Sequence, residues 1–98
     1  MKNKSYNFFN NLANPTKFKI IMSLKESPLS VTDIINKLQE EQSKISHNLK
    51  SLTQCHVVEV KQQGKKRIYS LNKDTIVPML EIVKKHARKY CLKKCHKE

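Results

Sequence analysis

The chain has 98 residues, room for one domain with one modest core, and its 38% hydrophobic content is low for an independent monomer. Lys and Arg number 20 against 8 Asp and Glu, and the resulting net charge of +12 points to a polyanionic partner, nucleic acid before an anionic membrane. No apolar run approaches the ~18 residues that span a bilayer, and the N-terminus MKNKSYNFF lacks the apolar core and cleavage site of a signal peptide. The expectation is therefore a cytoplasmic protein with no membrane partner.

Ser5 to Ala13 carries Tyr6, Phe8, Phe9 and Leu12, enough for a short apolar helix. Asn14-Pro15 breaks the chain and restarts it, with Pro15 at a first helical position where its missing N–H is not needed. Phe18, Ile21, Met22 and Leu24, with Ile20 beside them, form a helical stripe that ends near Ser27-Pro28. Ser30 opens the next helix, with Asp33 three residues on as an approximate capping box, and Ile34, Ile35 and Leu38 face inward. Glu40-Glu41 marks a short turn whose carboxylates favour the N-terminus of the following helix, which buries Ile45, Leu49 and Leu52.

Val57 to Lys61 has β-branched strand character, Gln63-Gly64 turns, and Arg67 to Leu71 returns. Gly64, the sole glycine, is expected at positive φ on the hairpin tip. Ile76, Leu80, Val83, Ala87 and Tyr90/Cys91 mark a long last helix, which Pro78 forces to start near Thr75 to Val77. The order is four helices, a hairpin and a helix: a mainly α winged helix-turn-helix with a small β-hairpin. Residues 1–98 make a single domain, with 1–13 and 73–98 as dimerisation helices of a homodimer.

The stretch from Leu12 to Leu71 resembles the ArsR/SmtB family of winged-helix repressors. LANPTKFKIIMSL is similar to the family's opening, a Leu-Ala-Asp/Asn-Pro-Thr-Arg run into an apolar helix. QSKISHNLKSL is similar to its recognition helix, and VEVKQQGKKRIYSL to its wing, which typically ends in Tyr-Ser-Leu. The resemblance implies a homodimeric repressor of double-stranded DNA whose operator is an imperfect inverted repeat, and in many members release by a metal ion. The chain departs from the pattern at Glu41, where a Ser or Thr cap is usual, and at His47 and Asn48. His56 replaces the usual Gly after the recognition helix, a position where positive φ is common.

Within this frame Gln42, Ser43, Ser46 and His47 are the expected base readers, because the N-terminal half of a recognition helix meets base edges. Lys44 and Lys50 are expected phosphate contacts. Asn48 either reads a base or faces the turn. Lys61, Lys65, Lys66 and Arg67 cluster on the wing. Lys65 and Lys66 are expected at phosphates, and Arg67 either enters a narrow minor groove or adds general attraction.

Two metal positions that the resemblance implies do not survive. One reads Ser30 and Thr32 in place of paired cysteines, and the other reads Lys73, Thr75, His86 and Lys89. What remains is Cys55, Cys91, Cys95 and His96, a candidate set for Zn²⁺ or another thiophilic ion. Cys91 and Cys95 lie one helical turn apart, and Lys89, Lys93 and Lys94 favour thiolate there, so oxidation is the second use of these thiols. Structural roles compete with both. Cys55 stands where the family has a small buried Ala and is expected in the core. No cofactor is certain.

An enzyme is not expected, since His47, His56, His86 and His96 have no nucleophile or carboxylate partner in the sequence pattern and no glycine-rich phosphate loop exists. The rivals to a sequence-specific regulator are a low-specificity architectural DNA coat and a winged-helix protein-interaction module.

Overall fold

The computed structural model describes residues 3–91. Five helices and three short strands follow in chain order: α1 (Lys4–Leu12), α2 (Pro15–Glu26), β1 (Leu29–Ser30), α3 (Val31–Leu38), α4 (Gln42–Gln54), β2 (Val58–Gln63), β3 (Lys66–Leu71) and α5 (Ile76–Tyr90). This is a winged helix-turn-helix, with α3 and α4 as the helical pair and β2–β3 as the wing. No helix among the described residues is long and apolar enough to cross a membrane.

Local chemistry sets each boundary. The Asn3 and Asn14 side chains accept the amides of Tyr6 and Lys17, both at 3.0 Å, which caps α1 and α2. Pro15 occupies the first turn of α2, as its sequence position predicts. The capping box at α3 is complete: the Asp33 amide donates to Ser30 Oγ at 3.2 Å, and the Ser30 amide donates to Asp33 Oδ2 at 3.3 Å. Gln39 ends α3 in the left-handed region at φ 58°, a position no glycine marks.

The end of α4 is a Schellman motif built on a histidine. His56 takes φ 60°, its amide donates to the Thr53 carbonyl at 3.0 Å, and the Val57 amide reaches the Leu52 carbonyl at 3.0 Å. Asn72 then joins this corner to α5. Its backbone amide donates to the Val57 carbonyl and its Nδ2 to the His56 carbonyl at 2.9 Å, while its Oδ1 accepts the amides of Asp74 and Thr75. Pro78 lies in the first turn of α5, as expected.

The sheet is antiparallel in the order β1-β3-β2. Strand β1 was not expected. It is two residues long, pairing Leu29 with Tyr69 and Ser30 with Ile68, too short for any alternation to register in sequence. It also ties the N-terminus of α3 to the base of the wing. The core is one cluster of Ile20, Ile21, Leu24, Ile34, Ile45, Leu49, Leu52, Val57, Val58, Tyr69, Leu71 and Ile76.

In α2 the buried stripe includes Thr16 and Ser23, and Phe18 is half exposed. Spacing by threes and fours selects positions 16, 20, 23 and 24 as the inner face, which rotates Phe18 outward. An ion pair joins α2 to α3: the Lys37 ammonium lies 2.7 Å from Glu26 and holds that exposed carboxyl below its ordinary range.

Candidate nucleic-acid interface

Helix α4 is sorted by its own periodicity. Ile45, Asn48, Leu49 and Leu52 are buried, and Gln42, Ser43, Lys44, Ser46, His47 and Lys50 are exposed. The hydrophobic face thus fixes the polar residues outward without any contact among them. Glu41 precedes the helix and makes no side-chain capping bond. The first amides of α4 are therefore left to solvent or to a ligand, at the positive end of the helix dipole.

Asn48, which the sequence left between reading a base and facing the turn, is turned inward. It is 8% exposed, and its Nδ2 donates to the Lys44 carbonyl at 2.8 Å. Its amide is spent on its own helix, one turn back, so it is removed from the base-reading set. The apolar ring of Ile45, Leu49 and Leu52 places position 48 on the buried side.

In the wing, Gln63 pairs with Lys66, leaving Gly64 and Lys65 as a two-residue turn. Gly64 has φ 62°, and Lys65 is not at positive φ, the pattern of a type II′ hairpin turn. Strand alternation splits the basic cluster. Arg67 shares a face with Tyr69 and with Val60, which pairs with Tyr69; Lys61 and Lys66 share the other face with Ile68. Lys65 stands at the tip. The four cations therefore do not act as one patch.

Arg67 faces α4 across a cleft of about 890 Å³. Gln42, Ser46 and Lys50 line one side, Val60, Arg67 and Tyr69 the other, and Thr32 and Ile35 of α3 close one end. Tyr69 is 9% exposed, and its hydroxyl makes no hydrogen bond among the described residues. Val60 was not singled out in the sequence, and Thr32 and Tyr69 were named there only as a lost metal position and as the end of the wing motif, not as parts of a DNA site. The signal was present for Tyr69, since two-residue spacing from Arg67 puts both on one face of the strand.

The charges of the site differ in their freedom. Among the described residues Lys50, Lys61, Lys65, Lys66 and Arg67 have no carboxylate partner, whereas Lys44 is 3.2 Å from Glu40.

The cysteines are placed differently from expectation. Cys55 is exposed at the C-cap of α4, with Asn11 Nδ2 at 3.5 Å from its sulfur, so it is not the core residue the sequence suggests. The helix turns away one residue later at His56, and Val57 fills the core in its place. Cys91 is half-buried at the C-cap of α5, and Cys95 and His96 lie outside the described residues. Among the described residues no three His, Cys, Asp or Glu side chains come together as a metal set. The positions of the two family metal sites do not fit an ion. Ser30 Oγ is spent on its cap, Lys73 and Lys89 are exposed cations, and His86 stacks on Tyr90 with ring centroids 4.9 Å apart.

A family model described as "Bacterial regulatory protein, arsR family" matches residues 14–60. The chain is 33% identical over 70 residues to the "HTH-type transcriptional regulator NmtR" of Mycobacterium tuberculosis, covering 71% of this chain and 58% of NmtR. It is 32% identical over 83 residues to the "Transcriptional repressor SdpR" of Bacillus subtilis, covering 81% of this chain and 92% of SdpR. The chain thus spans nearly all of SdpR and under two thirds of NmtR. Among solved structures, Mycobacterium tuberculosis Rv0081 superposes with a TM-score of 0.79 at 27% identity, over 90% of this chain and 93% of that one. Helix order, wing and sequence agree: the chain belongs to the ArsR family of bacterial regulatory proteins.

Proposed function

We propose that this chain is a sequence-specific, double-stranded DNA-binding transcriptional regulator of the cytoplasm, a homodimeric repressor and not an enzyme, whose operator is an imperfect inverted repeat. The observation that carries this reading is the cleft between α4 and the wing. Its rim holds Lys50 and Arg67, neither with a carboxylate partner among the described residues, and the outward face of α4 beside it carries Gln42, Ser43 and Ser46. One strand of the duplex backbone passes between helix and wing, with phosphates meeting Lys50 and Arg67. The Tyr69 hydroxyl, with no partner among the described residues, donates to a phosphate there. Gln42, Ser43, Ser46 and His47 read base edges in the major groove, where Gln pairs with adenine. Lys61, Lys65 and Lys66 attract the flanking backbone. Segments 1–13 and 73–98, of which residues 1–2 and 92–98 lie outside the described residues, are the proposed dimer interface.

The test is selection of bound duplexes from a random pool, followed by titration of a salt series. Alanine at Lys65, Lys66 and Arg67 together is expected to flatten the dependence of log K on log salt by about 0.9 per lost contact. Tyr69→Phe is expected to weaken binding about three- to tenfold with the slope unchanged, since a neutral hydroxyl releases no counterion. An unchanged slope in the triple variant sinks the wing assignment. Equal affinity for random and selected duplexes establishes an architectural coat instead, and no duplex binding at near-physiological salt establishes a protein-interaction module.

For sensing, the thiols Cys55, Cys91 and Cys95 with His96 are the proposed switch, responsive to a thiophilic metal ion or to oxidation. Exposure of Cys55 at the end of the recognition helix supports this reading. Zn²⁺ or an oxidant added to the reduced complex should release DNA from wild type and not from a variant with all three cysteines changed to Ser. Retention of DNA under both challenges overturns it.

A further inference from the structure

The connection between α3 and α4 holds a carboxylate where a DNA-binding surface ordinarily avoids one. Glu40 is half-buried, with 20% of its side chain exposed. Its Oε1 lies 3.2 Å from the Lys44 ammonium and its Oε2 lies 3.7 Å from that of Lys19. Both lysines are exposed, at 49% and 56% of their side chains. The neighbouring Glu41 differs in both respects: it is exposed and makes no ion pair among the described residues.

We propose that Glu40 is a specificity-determining residue, an internal rival to DNA phosphate that holds Lys44 and Lys19 off non-cognate duplexes. The proposal rests on the DNA-binding reading of the same surface. Lys44 sits on α4 two residues after Gln42, on the helix that enters the groove, and Lys19 comes from α2 to the same carboxylate. With Glu40 in place the three groups carry a net charge of +1, and without it the two lysines carry +2. A phosphate that recruits Lys44 must take it from a half-buried carboxylate, which loses part of its compensation.

That cost is constant, but the return differs between duplexes. On the cognate site, base contacts from Gln42, Ser43 and Ser46 seat α4 in the groove and hold Lys44 against the backbone. On a random duplex those contacts are missing, and the charge gained by leaving Glu40 is small. Glu40 therefore weakens non-specific binding more than specific binding, which widens the ratio between them.

The decisive comparison is E40Q against E41Q in the full chain, since both remove one negative charge at adjacent positions. Affinity for the selected duplex and for a random duplex is read by fluorescence anisotropy over a salt series, with thermal unfolding as a check on folding. E40Q is expected to bind the random duplex about three- to tenfold more tightly, with a salt slope steeper by about 0.9 per protomer. Its gain on the selected duplex is smaller, so the ratio falls; E41Q keeps the wild-type ratio. Lys44→Gln added to E40Q is expected to reverse the gain. Equal effects of E40Q and E41Q, or an unchanged ratio in E40Q, overturn the proposal.

Should E40Q fail to fold, Lys44→Gln in the wild-type background decides. It is expected to lower affinity for the selected duplex more than for the random duplex, and equal losses on both overturn the proposal. A wild type that binds no duplex sinks the DNA-binding reading and this proposal together, whereas an intact wild type with an unaltered E40Q ratio sinks this one alone.

Discussion

Asn48 and Cys55 show how far single residues could be read before the fold was known. Asn48 lies on α4 and Cys55 at its C-cap, both carry reactive or hydrogen-bonding groups, and the sequence left the first open and placed the second in the core. The structure exchanges them: Asn48 turns in and bonds Lys44, and Cys55 faces out. The reason is the phase of the helix end. Ile45, Leu49 and Leu52 define the inner face, and the left-handed residue at 56 stops the helix before Cys55 rotates under it. Gly64 was legible because one geometry explains it. Nothing lies within 4 Å of a Cβ placed there, so Gly64→Ala is penalised through the backbone alone. At φ 62° the expected loss is about 1 kcal/mol, read as a lowered midpoint in urea, and Gly64→Asn should recover most of it. Equal stability of Ala and Gly at this position would contradict the hairpin geometry.

At the scale of elements, five helices and the wing were readable because caps and periodicity mark them. The Ser30–Asp33 box, Pro15 and Pro78 all stand where their chemistry requires. What escaped was β1, whose two residues carry no pattern of their own and exist because Tyr69 and Ile68 offer them partners. The sorting of the wing's cations also escaped, since it depends on register: Arg67 enters the cleft and Lys66 does not. The corner between α4 and α5 was equally silent, because Asn72 acts through tertiary geometry. Its side chain donates once and accepts twice, binding the left-handed end of the recognition helix to the start of α5. Asn72→Ala is expected to cost about 1–3 kcal/mol by chemical denaturation. Hydrogen exchange should speed up at Val57 and Thr75 before the amides in the middle of α4. A uniform change across the domain would mean that the corner is not a local tie.

The whole molecule leaves its two terminal helices under-used. α5 packs on the core through Ile76, Val77, Met79 and Leu80, yet Ile82 is 68% exposed, Val83 54% and Tyr90 64%. On α1, Tyr6 and Phe9 are 66% and 62% exposed. These five exposed residues are the surface that the proposed homodimer would cover, since a second copy of the same two helices offers one of matching character. Dimerisation would also determine how DNA is read, because two recognition helices must sit one helical turn apart, about 34–36 Å, to meet both halves of an operator. Ile82→Glu with Val83→Glu is therefore expected to sediment as a folded monomer. Its affinity for the full operator should fall by at least about 100-fold, since the second half-site no longer binds as a tethered contact. Its affinity for an isolated half-site should stay near that of wild type, because α4 and the wing lie on other elements. A variant that remains dimeric would move the interface elsewhere, and one that loses half-site binding as well would show that α5 supports the reading head directly.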